Sequence, residues 1–348
     1  MIDETLMSSA AAGDLDALAE LDGRGFIIGA DETLEKFIER VKALRIRIED
    51  MEDALDKTGV YEIEGLTFTA DRRIPRELIG GVSEITRKRY GFSIDWVPGF
   101  FADPSFGWLF GGCAYYFDPD FFALFIIRKS FAEKNRWLIY KRDELLSHEL
   151  CHVARSGLKA DFFEEEFAYS LSTSWFRKTV GGLFRSGSEA FYLLGGTMLI
   201  LAARIIQLFV FKSLPLWPFT LVMTGILAYL GFRLVQLRKL IKTAREKLTA
   251  AVGVNAEKVL FRCTDLEILD VCQADGPEAV QTWLSQRREK SPRWQVIHHR
   301  FLTPGARDDT CDSEAMADDV KERGGAAPRV AVCQTGEHDA GGRPATGA

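Results

Sequence analysis

The sequence predicts an α+β protein that carries a membrane-spanning helical hairpin, and three observations lead there. Aromatic and β-branched runs between Ser93 and Phe131, broken by Pro98, Pro104 and Pro119, read as the short strands of a small sheet. On either side, apolar residues recur at steps of three and four, the spacing of helices packed on one face. Finally, EAFYLLGGTMLILAARIIQLFVF and SLPLWPFTLVMTGILAYLGF follow one another with a single internal charge, Arg204. Each has about the 20 apolar residues a helix needs to cross a bilayer.

Composition fits this class. In a chain of 348 residues, 47% are hydrophobic, enough to bury a real core and to exclude a disordered protein. A net charge of −6, dispersed along the chain, gives no reason to expect a nucleic-acid partner. The six cysteines, at Cys113, Cys151, Cys263, Cys272, Cys311 and Cys333, form no C-x-x-C pair, and the amino terminus shows no secretory signal. Scattered thiols suit a reducing compartment, so the soluble parts are expected to face the cytosol.

Five regions follow. Residues 1–60 form a helical region dominated by an amphipathic helix over 31–57, with Leu34, Ile38, Val41, Leu44, Ile48, Met51 and Leu55 on its apolar face. Residues 61–180 open with a strand over 61–69 and a helix over 75–90 that Gly91 ends. The strand runs SIDWV, FGGCAYYF and FFALFIIRKSF come next, and then a helix over 137–155, stopped by Gly157. Residues 189–232 are the hairpin, where Gly195, Gly196, Gly225, Ala228 and Gly231 allow close helix approach and Arg204 snorkels toward the turn. Residues 233–302 read as a small helical domain, with a capping box at Thr264 to Glu267 and helix starts at Pro277 and Pro292. The tail, 303–348, has few large apolar residues and is expected to be disordered. Arg177, Lys178 and Arg185 before the hairpin, and Arg233, Arg238, Lys239, Lys242, Arg245 and Lys247 after it, oppose a single Lys212 in the turn. This bias puts both termini and the domain before the hairpin on the cytosolic side.

Chemistry concentrates in His148-Glu149-Leu150-Cys151-His152. Residues four apart on a helix lie one turn above each other, so His148 and His152 can aim two imidazoles at one point, as tetrahedral zinc requires. Glu149, offset by one position, is placed to take a proton from zinc-bound water. A third ligand is sought in the run from Asp161 to Tyr169. Asp161 and Glu164 form a D-x-x-E capping box, which leaves Glu165 and Glu166 as candidates.

With these motifs the chain resembles the gluzincin metallopeptidases, whose H-E-x-x-H helix is followed by a helix carrying a glutamate ligand within a phrase such as E-x-F-A. Glu165-Glu166-Phe167-Ala168 matches that phrase, so the resemblance points to Glu165. It covers about residues 76–176 and implies a minimal zincin-like domain, a Zn2+ cofactor and hydrolysis of peptide or protein substrates. It also implies that the strand before the active-site helix, residues 122–128, is the edge strand that binds extended substrate. The distance from His152 to Glu165 is shorter than in aminopeptidase-like members, and the hairpin follows the third ligand, so no subfamily is assigned. The expected function is zinc-dependent peptide hydrolysis near the cytosolic membrane surface, where membrane-protein tails would be presented. The alternative is a membrane-anchored zinc-binding scaffold without hydrolysis, against which the presence of Glu149 argues. Tyr169 and Arg155 are the groups near enough to stabilise an oxyanion, although a structural role is the more ordinary reading of each. Cys151 reads as a buried structural thiol, and His298 and His299 as part of a solvated basic face.

Overall fold

Aromatic side chains that point to both faces of a strand need a packed layer on each side, and the central strand of this chain has both. The computed structural model describes residues 2–102, 111–117, 122–138, 140–183 and 187–303. The tail beyond residue 303, and with it Cys311 and Cys333, lies outside the described residues, as does Arg185. The fold is mixed α+β and mostly helical.

Two short helices, α1 (Glu4–Ala11) and α2 (Leu15–Gly23), precede the long α3 (Leu34–Thr58), which Thr33 caps and Gly59 ends at positive φ. The single strand expected over 61–69 is a hairpin, β1 (Val60–Ile63) against β2 (Leu66–Thr69). Glu64 and Gly65 turn it, with φ of 47° and 79°, the left-handed pair that a two-residue hairpin turn uses. Next comes α4 (Arg76–Tyr90), closed by Gly91 at φ 71°.

The sheet consists of β3 (Gly99–Phe101), β4 (Gly112–Phe117) and β5 (Phe122–Ile127) in the order β3-β5-β4, with β3 parallel and β4 antiparallel to β5. The strand over 122–127, expected at the edge, is therefore central, and β3 and β4 are the edges. All six residues of β5 are buried. Ala123, Phe125 and Ile127 enter one core cluster, and Phe122, Leu124 and Ile126 enter the cluster that also contains Phe37, Val41 and Leu44 of α3. A strand apolar on both faces has to sit inside its sheet. Residues 93–97, expected as a strand, pair with none. The Ser93 N–H donates to the Gly23 carbonyl and the Ser83 hydroxyl to that of Ile94, while Ile94 and Val97 fill core positions.

A two-residue-per-strand hairpin, β6 (Arg136–Trp137) with β7 (Tyr140–Lys141), occupies the start of the helix expected from 137, and α5 runs over Arg142–Arg155. After α6 (Glu164–Ser170) and α7 (Trp175–Val180) come the two apolar helices, α8 (Gly187–Phe209) and α9 (Trp217–Val252). Both are long and apolar enough to cross a membrane, and large apolar side chains such as Leu201, Phe209, Leu221 and Phe232 stand exposed along them.

No break falls at residue 232, where one region was expected to end and the next begin. α9 continues for 36 residues, about 54 Å of helix. Its last turns bury Leu237, Ile241, Ala244 and Leu248. These pack in one cluster with Leu146 and Leu150 of α5, Phe167 of α6, and residues of α10 (Ala256–Phe261), α11 (Asp265–Gln273), α12 (Gly276–Arg287) and α13 (Pro292–Ile297). Thr264 and Glu267 form the capping box expected of them. Residues 61–180 and 233–302 thus share a core.

The N-terminal helices join it through a buried ion pair. Arg262, fully buried after α10, donates to both oxygens of Asp22 on α2 at 2.8 and 2.7 Å, and Arg300 adds a third contact at 2.6 Å. Burial pushes the Asp22 carboxyl up, but Arg262 and Arg300 outweigh it and hold the group below its ordinary value. Removing one member of such a pair strands the other. Asp22→Asn should therefore lower stability by about 3 kcal/mol, read as a shift of the urea midpoint of the detergent-solubilised protein.

Candidate metal centre

The first turn of α5 fixes the site. Glu144, 5% exposed in its side chain, accepts from the Ser172 hydroxyl at 2.7 Å, from the Thr173 N–H at 3.0 Å and from Arg177 at 3.2 Å. Burial alone would raise its carboxyl, yet the Thr173 hydroxyl, the Ser172 hydroxyl, the Thr173 N–H and Lys141 hold it at about 2. This ties α5 to the segment that leads from α6 into α7. Leu146 and Leu150 pack inward, and His148 and His152 face the opposite way, toward α6.

There the donors converge. His148 Nε2 lies 3.1 Å from His152 Nε2, and the Glu165 carboxylate lies 3.6 Å from each. Three donors held about 2.1 Å from one tetrahedral ion sit about 3.4 Å from each other. Each imidazole meets a different oxygen of the carboxylate, and with one atom taken from each residue the donors lie within 4.8 Å of one another, so His148, His152 and Glu165 could hold a metal ion. Among the described residues no other group of three His, Cys, Asp or Glu does so. Burial, and then His152 and Arg177, depress His148 well below its ordinary value, so it presents a neutral imidazole, the form that ligates. Its Nδ1 is buried without a hydrogen-bond partner.

Glu164 has a role that the sequence reading missed. No D-x-x-E box forms: α6 begins at Glu164 without a side-chain cap, and the N–H groups of Phe162 and Phe163 donate instead to Asp265, at 2.8 and 3.2 Å. Glu164, released from capping, meets His152 Nδ1 at 3.0 Å. A carboxylate on the far nitrogen of a ligating histidine fixes its ring and raises its basicity. Burial lowers His152, but Glu164, backed by Glu165 and Glu149, raises it to about 9. Glu166, the other candidate ligand, is turned away and accepts from Arg238 of α9 at 3.2 Å.

Glu149 sits half-buried beside the imidazoles, under the edge strand. Burial and the nearby Glu165 raise its carboxyl, against the pull of His152 and of the Ala114 N–H on β4. Two phenols border the site. The Tyr169 ring meets His148 edge-on at 4.5 Å. Tyr116, on the face of β4 that carries Ala114, is 43% exposed as a residue, but its phenol is crowded enough that burial, and then the charges of Glu149, Glu164 and Glu165, push it well above the ordinary value. No motif marks Tyr116 in the sequence; only its two-residue offset from Ala114 puts it on that face. Arg155 is not available to a substrate: it donates to the carbonyls of Phe261 and Cys263 and lies over the rings of Phe167 and Phe261. Cys151 is fully buried, and burial raises its thiol far up. His298 and His299 pair separately, with the Leu284 carbonyl at 2.8 Å and with Asp16 at 2.7 Å.

Comparisons with family models, with curated proteins and with solved structures find no match to this chain, so the geometry alone carries the reading.

Two outcomes are expected. Dialysed against a chelator, Glu165→Gln should lose its metal, Glu164→Gln should bind it about 10- to 100-fold more weakly, and Glu166→Gln should match the wild type, all measured by bound-metal analysis. The second concerns Glu144, whose carboxyl is depressed from 4.5 to about 2. Its stabilisation is present above pH 4.5 and disappears as pH falls toward 2, so the stability gap between wild type and Glu144→Gln, about 2 to 3 kcal/mol at neutral pH, should close over that range in urea titrations.

Proposed function

We propose that this chain is a membrane-anchored zinc peptidase that holds Zn2+ on His148, His152 and Glu165 and hydrolyses peptide bonds with Glu149 as its proton carrier. The observation that carries this reading is the convergence of the two Nε2 atoms, 3.1 Å apart, on the Glu165 carboxylate, whose Oε2 lies 3.6 Å from His148 and whose Oε1 lies 3.6 Å from His152. Carboxylate and imidazole donors suit zinc, and a motif resembling that of the gluzincins supplies them in the matching order. Bound zinc supplies Lewis acidity and water that ionises near neutral pH.

The chain's own residues do the rest. Glu149 accepts the proton of the attacking water on its carboxylate and returns it to the leaving amine, a task suited to a carboxyl raised by burial. Glu164 keeps His152 oriented through Nδ1. Tyr169 and Tyr116 offer phenolic donors on the flank where charge would develop on the carbonyl oxygen. β4, the edge strand beside Glu149, offers backbone donors and acceptors to an extended peptide there. The exposed apolar lengths of α8 and α9 suit a bilayer, and the basic residues on both flanks of the hairpin favour a cytosolic site. Substrates are then peptide segments near that surface, such as membrane-protein tails.

The deciding comparison is Glu149→Gln, which preserves size and every ligand. Zinc content should stay at about one per chain while cleavage of a peptide library falls at least about a hundredfold. Zinc-loaded wild type that cleaves nothing, or a variant as fast as wild type, would leave the zinc scaffold in place of the enzyme.

A further inference from the structure

α7 presents an apolar face that no part of the described fold covers. Trp175 is 76% exposed, Phe176 54% and Val180 38%, while Arg177 on the inner side is buried on Glu144. Single exposed apolar residues are ordinary, but three of them on a six-residue helix, one of them tryptophan, make a patch that water disfavours.

Two arginines of α9 fix the level of this patch. Arg233 donates to the Leu183 carbonyl at 2.9 Å, and Arg238 donates to the carbonyl of Lys178 within α7. Counted from Trp217, the first residue of α9, a hydrocarbon layer of about 30 Å takes about 20 helical residues and ends near Gln236. That end falls between the two arginines, so α7 is level with the boundary between acyl chains and headgroups. Tryptophan concentrates at this boundary, since its ring tolerates both the apolar side and the wet one. Lys178, Lys239 and Lys242, all exposed at the same end of α9, supply the positive charge that anionic headgroups attract.

We propose that α7 is a second membrane contact, inserting Trp175, Phe176 and Val180 into the headgroup layer of the bilayer that α8 and α9 cross. The inference rests on the reading of those helices as membrane spans. Through it the lipid surface comes within one side chain of the candidate metal site: Arg177 bonds Glu144 in the first turn of α5, and Gly181, just after α7, closes on the Tyr169 ring that packs against His148. A β-carbon at Gly181 would overlap that ring, so the approach requires glycine there. The substrate class narrows accordingly, to extended segments that emerge from the same membrane surface.

Tryptophan quenching by chain-brominated phosphatidylcholine tests this on the full protein in nanodiscs. Wild type, Trp175→Phe and Trp217→Phe are compared; both substitutions are conservative and neither side chain is buried. If α7 inserts, each variant loses a distinct share of the quenchable emission, and the Trp175 share is quenched more by bromine near the headgroup than near the chain end. If Trp217→Phe loses its share and Trp175→Phe loses none, α7 is in water and the inference is overturned while the spans stand. If neither loses any, the membrane reading fails and the inference with it.

Discussion

A charge is buried at each end of α5, and the position of that helix governs everything else the chain builds. At the start, Glu144 is satisfied by Ser172, Thr173 and Arg177. At the end, Arg155 lies fully buried against the carbonyls of Phe261 and Cys263, at and just beyond the end of α10. Burying such groups costs several kcal/mol each unless partners replace water. The donors to the Glu144 carboxylate and the two carbonyls that take the Arg155 N–H groups therefore cannot drift without loss, the more so because Arg155 Nε is already buried without a partner. The clamp at one end belongs to the chain leading into the apolar helices, and the other to the C-terminal helices. With both ends held, the inward face of α5 fills the core and the outward face has one available use, which is to meet α6. The convergence of His148, His152 and Glu165 follows from that meeting.

Much of this was legible in the residues. A histidine pair four apart on a helix with Leu146 and Leu150 behind it fixes which face is polar, because helical periodicity is local. The helices over 34–58 and 76–90 were equally plain, each closed by a glycine at positive φ. What escaped was nonlocal. Whether a strand is central or at the edge depends on what covers its second face, and for β5 that is α3, more than sixty residues earlier. Asp161 looks like a helix cap by spacing, but Asp265, a hundred residues later, binds those N–H groups in its place and frees Glu164 for His152. The hairpin at Glu64 and Gly65 was hidden by the alternation of its two strands, which reads as one.

The separation of the chain into regions by composition fared similarly. The change from apolar to basic residues after Phe232 is real, but it records a change of surroundings along one helix and not an end of secondary structure. Nothing between Phe232 and Val252 is a helix breaker, so α9 continues, and the C-terminal helices pack on it and on α5 together. The same packing turns Glu166 toward Arg238 and leaves Glu165 to face the imidazoles.

The continuity of α9 also sets a phase. Its exposed apolar half and its core-facing stripe at Leu237, Ile241, Ala244 and Leu248 share one screw axis, and each added or deleted residue between them would turn one against the other by about 100° and shift it by about 1.5 Å. The helix therefore acts as a keyed shaft: the direction in which the candidate metal site looks is written into the number of residues between Phe232 and Leu237. Substitutions in that short stretch leave the key intact, whereas a single insertion there would swing the candidate site away from its bearing without touching any residue that forms it.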